Sequence, residues 1–194
     1  MPTQAERTEA TRGRLITAAR RLFAEKGFAA TSTEEILSET AVSRGALYHH
    51  FPSKTDLFQA TFEQVEDELT AQVLQVAAAG GETDPMRILQ VGFGAFLDQC
   101  LNPEVQRIVM LDGPTVLGWD LWHELDERYA FGAIKALLIV AADTGRIEPA
   151  TVEPLTHLLV GAIMQAGMVV ARSDDPVTAK KAMTDTFAGI VSAL

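Results

Sequence analysis

Cysteine is nearly absent from this chain: Cys100 stands alone among 194 residues. A single thiol excludes an intrachain disulfide and a cysteine-rich metal site, and it fits a reducing cytoplasm. Strand signals are also missing. No segment alternates apolar and polar residues between hairpin turns, so the expected class is all-α. Glycine and proline are scattered and form no low-complexity run. The opening MPTQAERTEATRGR has no apolar core of a signal peptide, and the longest apolar run, residues 158–171, is short for a bilayer span. We therefore expect no membrane partner and a cytoplasmic protein. No His, Cys, Asp or Glu set has metal-ligand spacing, and Cys100 and His123 form no nucleophile–base pair, so neither metal nor cofactor is expected and an enzyme is disfavoured.

Positive charge is scarce too: sixteen Lys and Arg stand against twenty-six Asp and Glu, a net charge of −10. The deficit is not uniform. Residues 1–60 carry eight basic against seven acidic side chains, whereas residues 61–194 carry eight against nineteen. The acid is concentrated in the C-terminal part, and local rather than global charge governs nucleic-acid binding.

What is present is a dense series of helix caps. Ser32 followed by Glu35 is a capping box, and it predicts a short helix ending near Thr40–Ala41. Ser43 caps a second short helix from Arg44 to about Phe51, where Pro52 stops it. Ser53 with Asp56 opens the next. Two short helices across a tight turn form a helix-turn-helix. The second has only Leu47 and Phe51 as an apolar stripe. Its remaining surface is small or hydrogen-bonding, as suits a helix whose N-terminal end reads a major groove. A merely solvated polar helix is the alternative. Ser43, Arg44, Gly45, Ala46, Tyr48 and His49 are the candidate groove-facing residues. Thr33 and Lys54, each at a helix start, are the candidate phosphate contacts. His50 is open between inward packing and phosphate contact.

The run from Leu15 to Leu57 resembles the DNA-binding region of the tetracycline-repressor (TetR) family. The resemblance rests on AARRLFAEKGFAATS, EEI, VSRGALYHHFPSK and the following Asp56-Leu57-Phe58. It covers about the first 60 residues, and it departs at Ala41, where the family often has glycine; alanine fits this turn if its φ is negative. The resemblance implies a dimeric, all-helical regulator with a C-terminal domain that binds a small molecule. It puts the same positions of the second short helix on DNA.

The rest of the chain reads as further helices, about nine in all. Residues 1–9 are expected to be a mobile tail, with the first helix from about Thr11 to Lys26. The expected core of the small domain is Phe23, Phe28, Ile36, Leu47 and Phe51. A long helix from Lys54 to about Ala78 links a helix-turn-helix domain, residues 1–55, to a helical ligand-binding and dimerisation domain, residues 56–194. Later helices are expected from Pro85 to Cys100, from Pro103 until Gly113-Pro114 breaks it, from about Thr115 to Ala142, from Val152 to Arg172 and from Pro176 to Ala193. The last two are expected to pair with their copies across a two-fold as a four-helix bundle through Leu158, Gly161, Ala162, Gln165, Met183, Phe187, Ile190 and Val191. Such a dimer reads a near-palindrome with half-sites about 34–36 Å apart or a multiple of that. The large apolar groups Phe93, Phe96, Met110, Trp119, Trp122 and Met168, with His123 and Gln165 as polar handles, are the candidate lining of a small-molecule site. The function these readings favour is a repressor of operator DNA released by a small hydrophobic effector. A transcriptional activator and a helical interaction module without operator binding remain open.

Overall fold

The computed structural model describes residues 3–194, with the side chains of Asp126 and Glu127 excepted. Among these residues there is no strand. Ten α-helices are joined by one π-helical segment and one short 3-10 turn. The first four are α1 (Gln4–Lys26), α2 (Thr33–Thr40), α3 (Arg44–His50) and α4 (Lys54–Ala79). Then follow α5 (Pro85–Gln99), α6 (Pro103–Val105), the π segment (Gln106–Asp112), α7 (Gly113–Leu117), α8 (Trp119–Asp143), α9 (Val152–Arg172) and α10 (Pro176–Ser192).

The caps fall where side-chain chemistry puts them. Glu35 N–H donates to Ser32 Oγ at 3.2 Å while Ser32 N–H donates to Glu35 Oε2 at 2.9 Å, a complete capping box. Ser43 accepts from Ala46 N–H and Ser53 from Asp56 N–H, each at 3.2 Å. Asp84, Asn102 and Asp175 cap α5, α6 and α10, each with a proline in the first turn.

Three boundaries differ from expectation. The first helix starts at Gln4, because Thr3 and Glu6 form a capping box of their own. The expected tail is therefore helical from Gln4, while Met1 and Pro2 lie outside the described residues. Gly113-Pro114 does not end a helix. The chain passes through it by widening into the π segment, in which the Gly113 N–H reaches back to the Ile108 carbonyl. A wider turn tolerates Pro114, which has no N–H to place. The break comes at Gly118, whose φ of 78° favours glycine. Finally, Ala41 takes the left-handed conformation, φ 52° and ψ 28°, rather than a negative φ. It is the only non-glycine residue with positive φ among those described.

The first three helices close over Leu15, Ala19, Phe23, Ile36, Leu47 and Phe51, all buried. Phe28 is partly buried and joins Phe23 and Phe58 in a cluster of tilted and edge-on rings. The same core continues along α4 through Leu57, Phe58, Phe62, Val65 and Leu69 into α5, α8 and α9. Polar ties fasten the two parts. Arg20 on α1 makes paired hydrogen bonds with Glu68 of α4 and with Glu104 of α6, all at 2.7 Å. These bonds hold the Arg20 guanidinium's pKa above its ordinary value, Glu104 first and Glu68 second. Phe28 N–H donates to Asp112 Oδ2 at 2.7 Å. Gly27 permits that approach: its φ is 81°, and a β-carbon there would lie 3.2 Å from the same carboxylate oxygen.

Candidate nucleic-acid interface and ligand cavity

The helix-turn-helix presents α3 outwards. Leu47 is its buried anchor, and Arg44, Gly45, Tyr48 and His49 are exposed. Apart from its chain neighbours and its own helix backbone, no atom lies within 4 Å of where a β-carbon on Gly45 would sit, so the first turn of α3 is open to close approach. Tyr48 keeps 40 % of its surface exposed. Arg44 lies over its ring, 5.8 Å from the centroid, and pairs with Glu34 at 3.4 Å. Ser43 and the half-buried Ala46 complete the patch. His50 is half-buried and lies edge-on to His49. The six groove-facing candidates thus share one surface. Thr33 borders it, with Tyr48, Ser53 and Lys54, around a shallow groove between α2, α3 and the start of α4.

Lys54 does not point freely at solvent. Its ammonium donates to the Phe28 and Thr31 carbonyl oxygens at 2.9 and 2.8 Å and sits 4.0 Å from the centre of the Phe28 ring. Two of its three N–H donors therefore brace the loop between α1 and α2. The ammonium carries three donors, so these carbonyls would share its charge with any phosphate it contacts.

A cavity of about 340 Å³ lies between α4, α5, α8 and α9. Phe93 and Phe96 line it, as expected from sequence. The other expected lining residues do not. Met110 is buried in the π segment, Trp122 is buried with its indole 3.2 Å from the site of a β-carbon on Gly113, and Trp119 is 62 % exposed. His123 stacks on Trp119, Gln165 faces outwards on α9, and the half-buried Met168 lies outside the lining. These residues sit near the start of α8 or on other faces of their helices. The cavity is opened instead by small residues at helical spacing on α8, Ala130, Ala133 and Ala136, facing Leu69, Val73 and Ala77 on α4 and Gly92 on α5. That spacing was the available signal, and large aromatic groups were the wrong one: they fill space, whereas small ones leave it.

The expected interface residues divide in the same way. Leu158 is 70 % exposed, Ile190 is 55 % exposed, and Gly161, Ala162 and Gln165 are exposed beside them. Phe187 and Val191 are buried within the chain, and Met183 is partly so. Phe187 stacks on Phe93 with ring centres 3.9 Å apart. The strongest apolar stripe of α10 thus serves its own core and leaves Ile190 outside it. By length and hydropathy, the stretch Pro149–Arg172 is long and apolar enough to cross a membrane. Here its other face, from Leu159 through Ile163 to Val170, is core.

Comparison with known proteins agrees with this arrangement. Residues 15–61 match the family model for bacterial regulatory proteins of the tetR family, and residues 86–194 match the tetracyclin repressor-like C-terminal domain. The Tn10 TetC protein of Escherichia coli is 27 % identical over 161 residues, 83 % of this chain and 80 % of TetC. The transcriptional regulator CymR of Pseudomonas putida is 37 % identical over 112 residues, 57 % of this chain and 55 % of CymR. A crystal structure of a TetR-family regulator from Pectobacterium atrosepticum superposes with a TM-score of 0.85 at 28 % identity, covering 100 % of this chain and 97 % of that one. RolR, solved with resorcinol, shares the fold with a TM-score of 0.65 at 24 % identity over 98 % of this chain and 97 % of RolR.

Proposed function

The chain belongs to the TetR family of DNA-binding transcriptional regulators, which are not enzymes, and on that premise we propose that it is a dimeric repressor released from a palindromic operator by a small hydrophobic effector. One observation carries this reading. A single 26-residue helix, α4, begins three residues after α3 and lines the cavity from Glu66 to Ala77. Such a helix is about 39 Å long, so a small tilt at the cavity becomes a larger displacement at the DNA end. The effector acts only through its differential affinity for the two tilts.

The DNA contacts in this proposal are Ser43, Arg44, Gly45, Ala46, Tyr48 and His49, with Thr33 and backbone N–H groups at the start of α2 on phosphate. The dimer is proposed to form through the outer faces of α9 and α10. Leu158, Gly161, Ala162 and Ile190 supply an apolar strip with room for close helix approach, and Gln165 lies within it. The operator-bound protein works in the cytoplasm. The effector enters the cavity between α4, α5, α8 and α9, next to Phe93 and Phe96.

The test is binding of the purified chain to DNA upstream of its own gene and to a scrambled duplex, at two salt concentrations. Tight, selective and salt-sensitive binding is expected, with two protomers per site. Weak binding equal for both duplexes, and for a set of randomised operators, would overturn the repressor reading.

A further inference from the structure

The cavity is a slot with almost no polar chemistry. Its lining runs from Glu66 to Ala77 on α4 and from Tyr129 to Val140 on α8. That is about three turns of each helix, or about 16 Å, whereas a sphere of the same 340 Å³ is about 9 Å across, so the void is drawn out along the helices. Gly92 lies opposite Val73, and Arg146, just beyond α8, pairs with Asp84 at the start of α5 at 3.2 Å. Helix α5 therefore runs antiparallel to α4 and α8. Ile88, Leu74 and Val140 mark the mouth, where Leu74 and Val140 are about half exposed at 50 % and 48 %. Phe96, Glu66 and Tyr129 mark the inner end. Among the lining residues only Glu66, Thr70 and Tyr129 carry oxygen or nitrogen in their side chains, and no lysine, arginine or histidine is present. The two at the inner end are already engaged. The Tyr129 hydroxyl donates to the Glu63 carbonyl at 3.3 Å, and the buried Glu66 has an interaction of its own within the protein.

We propose that the effector is an uncharged aliphatic chain of medium length with one terminal oxygen group, as in an alcohol or aldehyde, lying along the slot with its tail at Phe96 and its oxygen at the mouth. This inference deepens the effector reading above and rests on it. Burying a charge that finds no partner costs far more than burying hydrocarbon, so the inner end of this wall takes a tail and not a head. A charged head fares little better at the mouth. There it meets the apolar rim of Leu74 and Val140, and the guanidinium of Arg146 beside it is taken up by Asp84. An uncharged oxygen at the same place keeps its water and needs no counter-charge. The shape then selects among uncharged bodies. A chain fits a narrow slot, whereas a compact ring system of equal carbon number has to force the packed helices apart. Each further methylene laid against the wall removes more apolar surface from water, so affinity follows chain length until the slot is full.

Four probes of equal carbon number decide the matter: 1-decanol, decanoate, decylamine and the compact 1-adamantanol, with 1-hexanol and 1-octanol as shorter chains. Each is titrated calorimetrically into the full chain below its micellar concentration, and in parallel into its complex with operator DNA. Affinity is expected to rise about fourfold per methylene from 1-hexanol to 1-decanol. 1-Decanol is expected to bind at least about tenfold more tightly than decanoate, decylamine or 1-adamantanol. Ala133→Phe, which fills the slot, is expected to abolish 1-decanol binding, and the milder Ala133→Leu to weaken it. If Ala133→Phe does not fold, Ala133→Leu and the ranking on the unmodified chain still decide. A charged probe or 1-adamantanol that matches 1-decanol overturns the proposal, as does an affinity that does not grow with chain length or an absence of 1-decanol binding up to its solubility. Unchanged 1-decanol binding in a folded Ala133→Phe overturns it as well, because the chain then sits elsewhere. The expected ranking with a DNA complex left intact would sustain the ligand class and sink the effector reading instead.

Discussion

Lys54→Ala separates two roles that a lysine at the start of α4 can have. A phosphate contact contributes to DNA affinity and to its salt dependence, and its loss lowers the salt slope by roughly one unit. A brace contributes to folding. In the structure the ammonium donates to two carbonyl oxygens at 2.9 and 2.8 Å and sits over Phe28. Hydrogen bonds to a charged group are each worth about 1.5–3 kcal/mol when deleted, and a partly exposed cation over a ring adds about 0.5–1 kcal/mol. Water can reach the half-buried carbonyl groups after truncation, so the lower part of that range applies. We expect a loss of about 3–4 kcal/mol, which for a chain of this size lowers Tm by about 6–16 °C. Lys54→Met keeps the stem over Phe28 and removes the donors, so it should fall between the two. The assay is thermal unfolding at fixed protein concentration together with DNA affinity at several salt concentrations. An unchanged Tm with a salt slope smaller by about one would refute the brace and return Lys54 to the phosphate contacts.

Two further outcomes follow from the same domain. Ala41→Gly should stabilise: the left-handed conformation costs an L-residue about 1–2 kcal/mol, glycine gives back about 0.5–1 kcal/mol in chain entropy, and the net gain of about 0.5–1 kcal/mol should appear as a rise in urea midpoint at constant slope. A fall in that midpoint would show that the turn does not hold a positive φ in solution. Glu35 is held at a pKa of about 2, first by Lys26 and then by the Ser32 N–H and hydroxyl. A carboxyl depressed on folding contributes stability above its unfolded pKa and loses it as pH falls through the folded one. Stability should therefore decline from about pH 4.3 towards pH 2, and Glu35→Gln should flatten that limb; parallel acid limbs for the two proteins would count against it.

The recognition unit was readable from sequence because its determinants are local. Ser32 with Glu35, Ser43 with Ala46 N–H and Ser53 with Asp56 N–H each act within one helical turn, and each side chain meets the backbone group that its spacing specifies. The cavity was not readable in the same way. A void is a property of faces from four helices at once, and nothing near Trp122 in sequence says that its indole packs on Gly113 rather than on α5. The same limit applies to α10. Met183, Phe187 and Val191 form a regular stripe, but periodicity shows that a face is buried and not which molecule buries it. The carbonyl partners of Lys54, on Phe28 and Thr31, escaped sequence reading for a related reason: they are set by a loop that its sequence position does not reveal.

The contacts of α4 bear on how a cavity and a recognition helix can communicate. Over one short stretch, Glu66 faces the cavity and Glu68 holds Arg20 of α1. Arg20 also grips Glu104 at the entry to the π segment, and Asp112 at the far end of that segment accepts from the Phe28 N–H. The π segment is therefore bracketed by two polar ties to the helix-turn-helix, with its buried Ile108, Val109 and Met110 packed into the common core between them. A motion of α4 about the cavity has to carry α1 through Arg20 or break four charge-assisted bonds at 2.7 Å. Carrying it keeps those four bonds, and both carboxylate partners sit on helices that contact α1. The three-helix unit then moves as one body with the first half of α4, and the apolar mouth near Leu74 is the part free to deform. In the mechanism proposed above, an effector that only widens the mouth changes little at α3, and one that displaces α4 at the level of Glu66 and Tyr129 carries α3 with it.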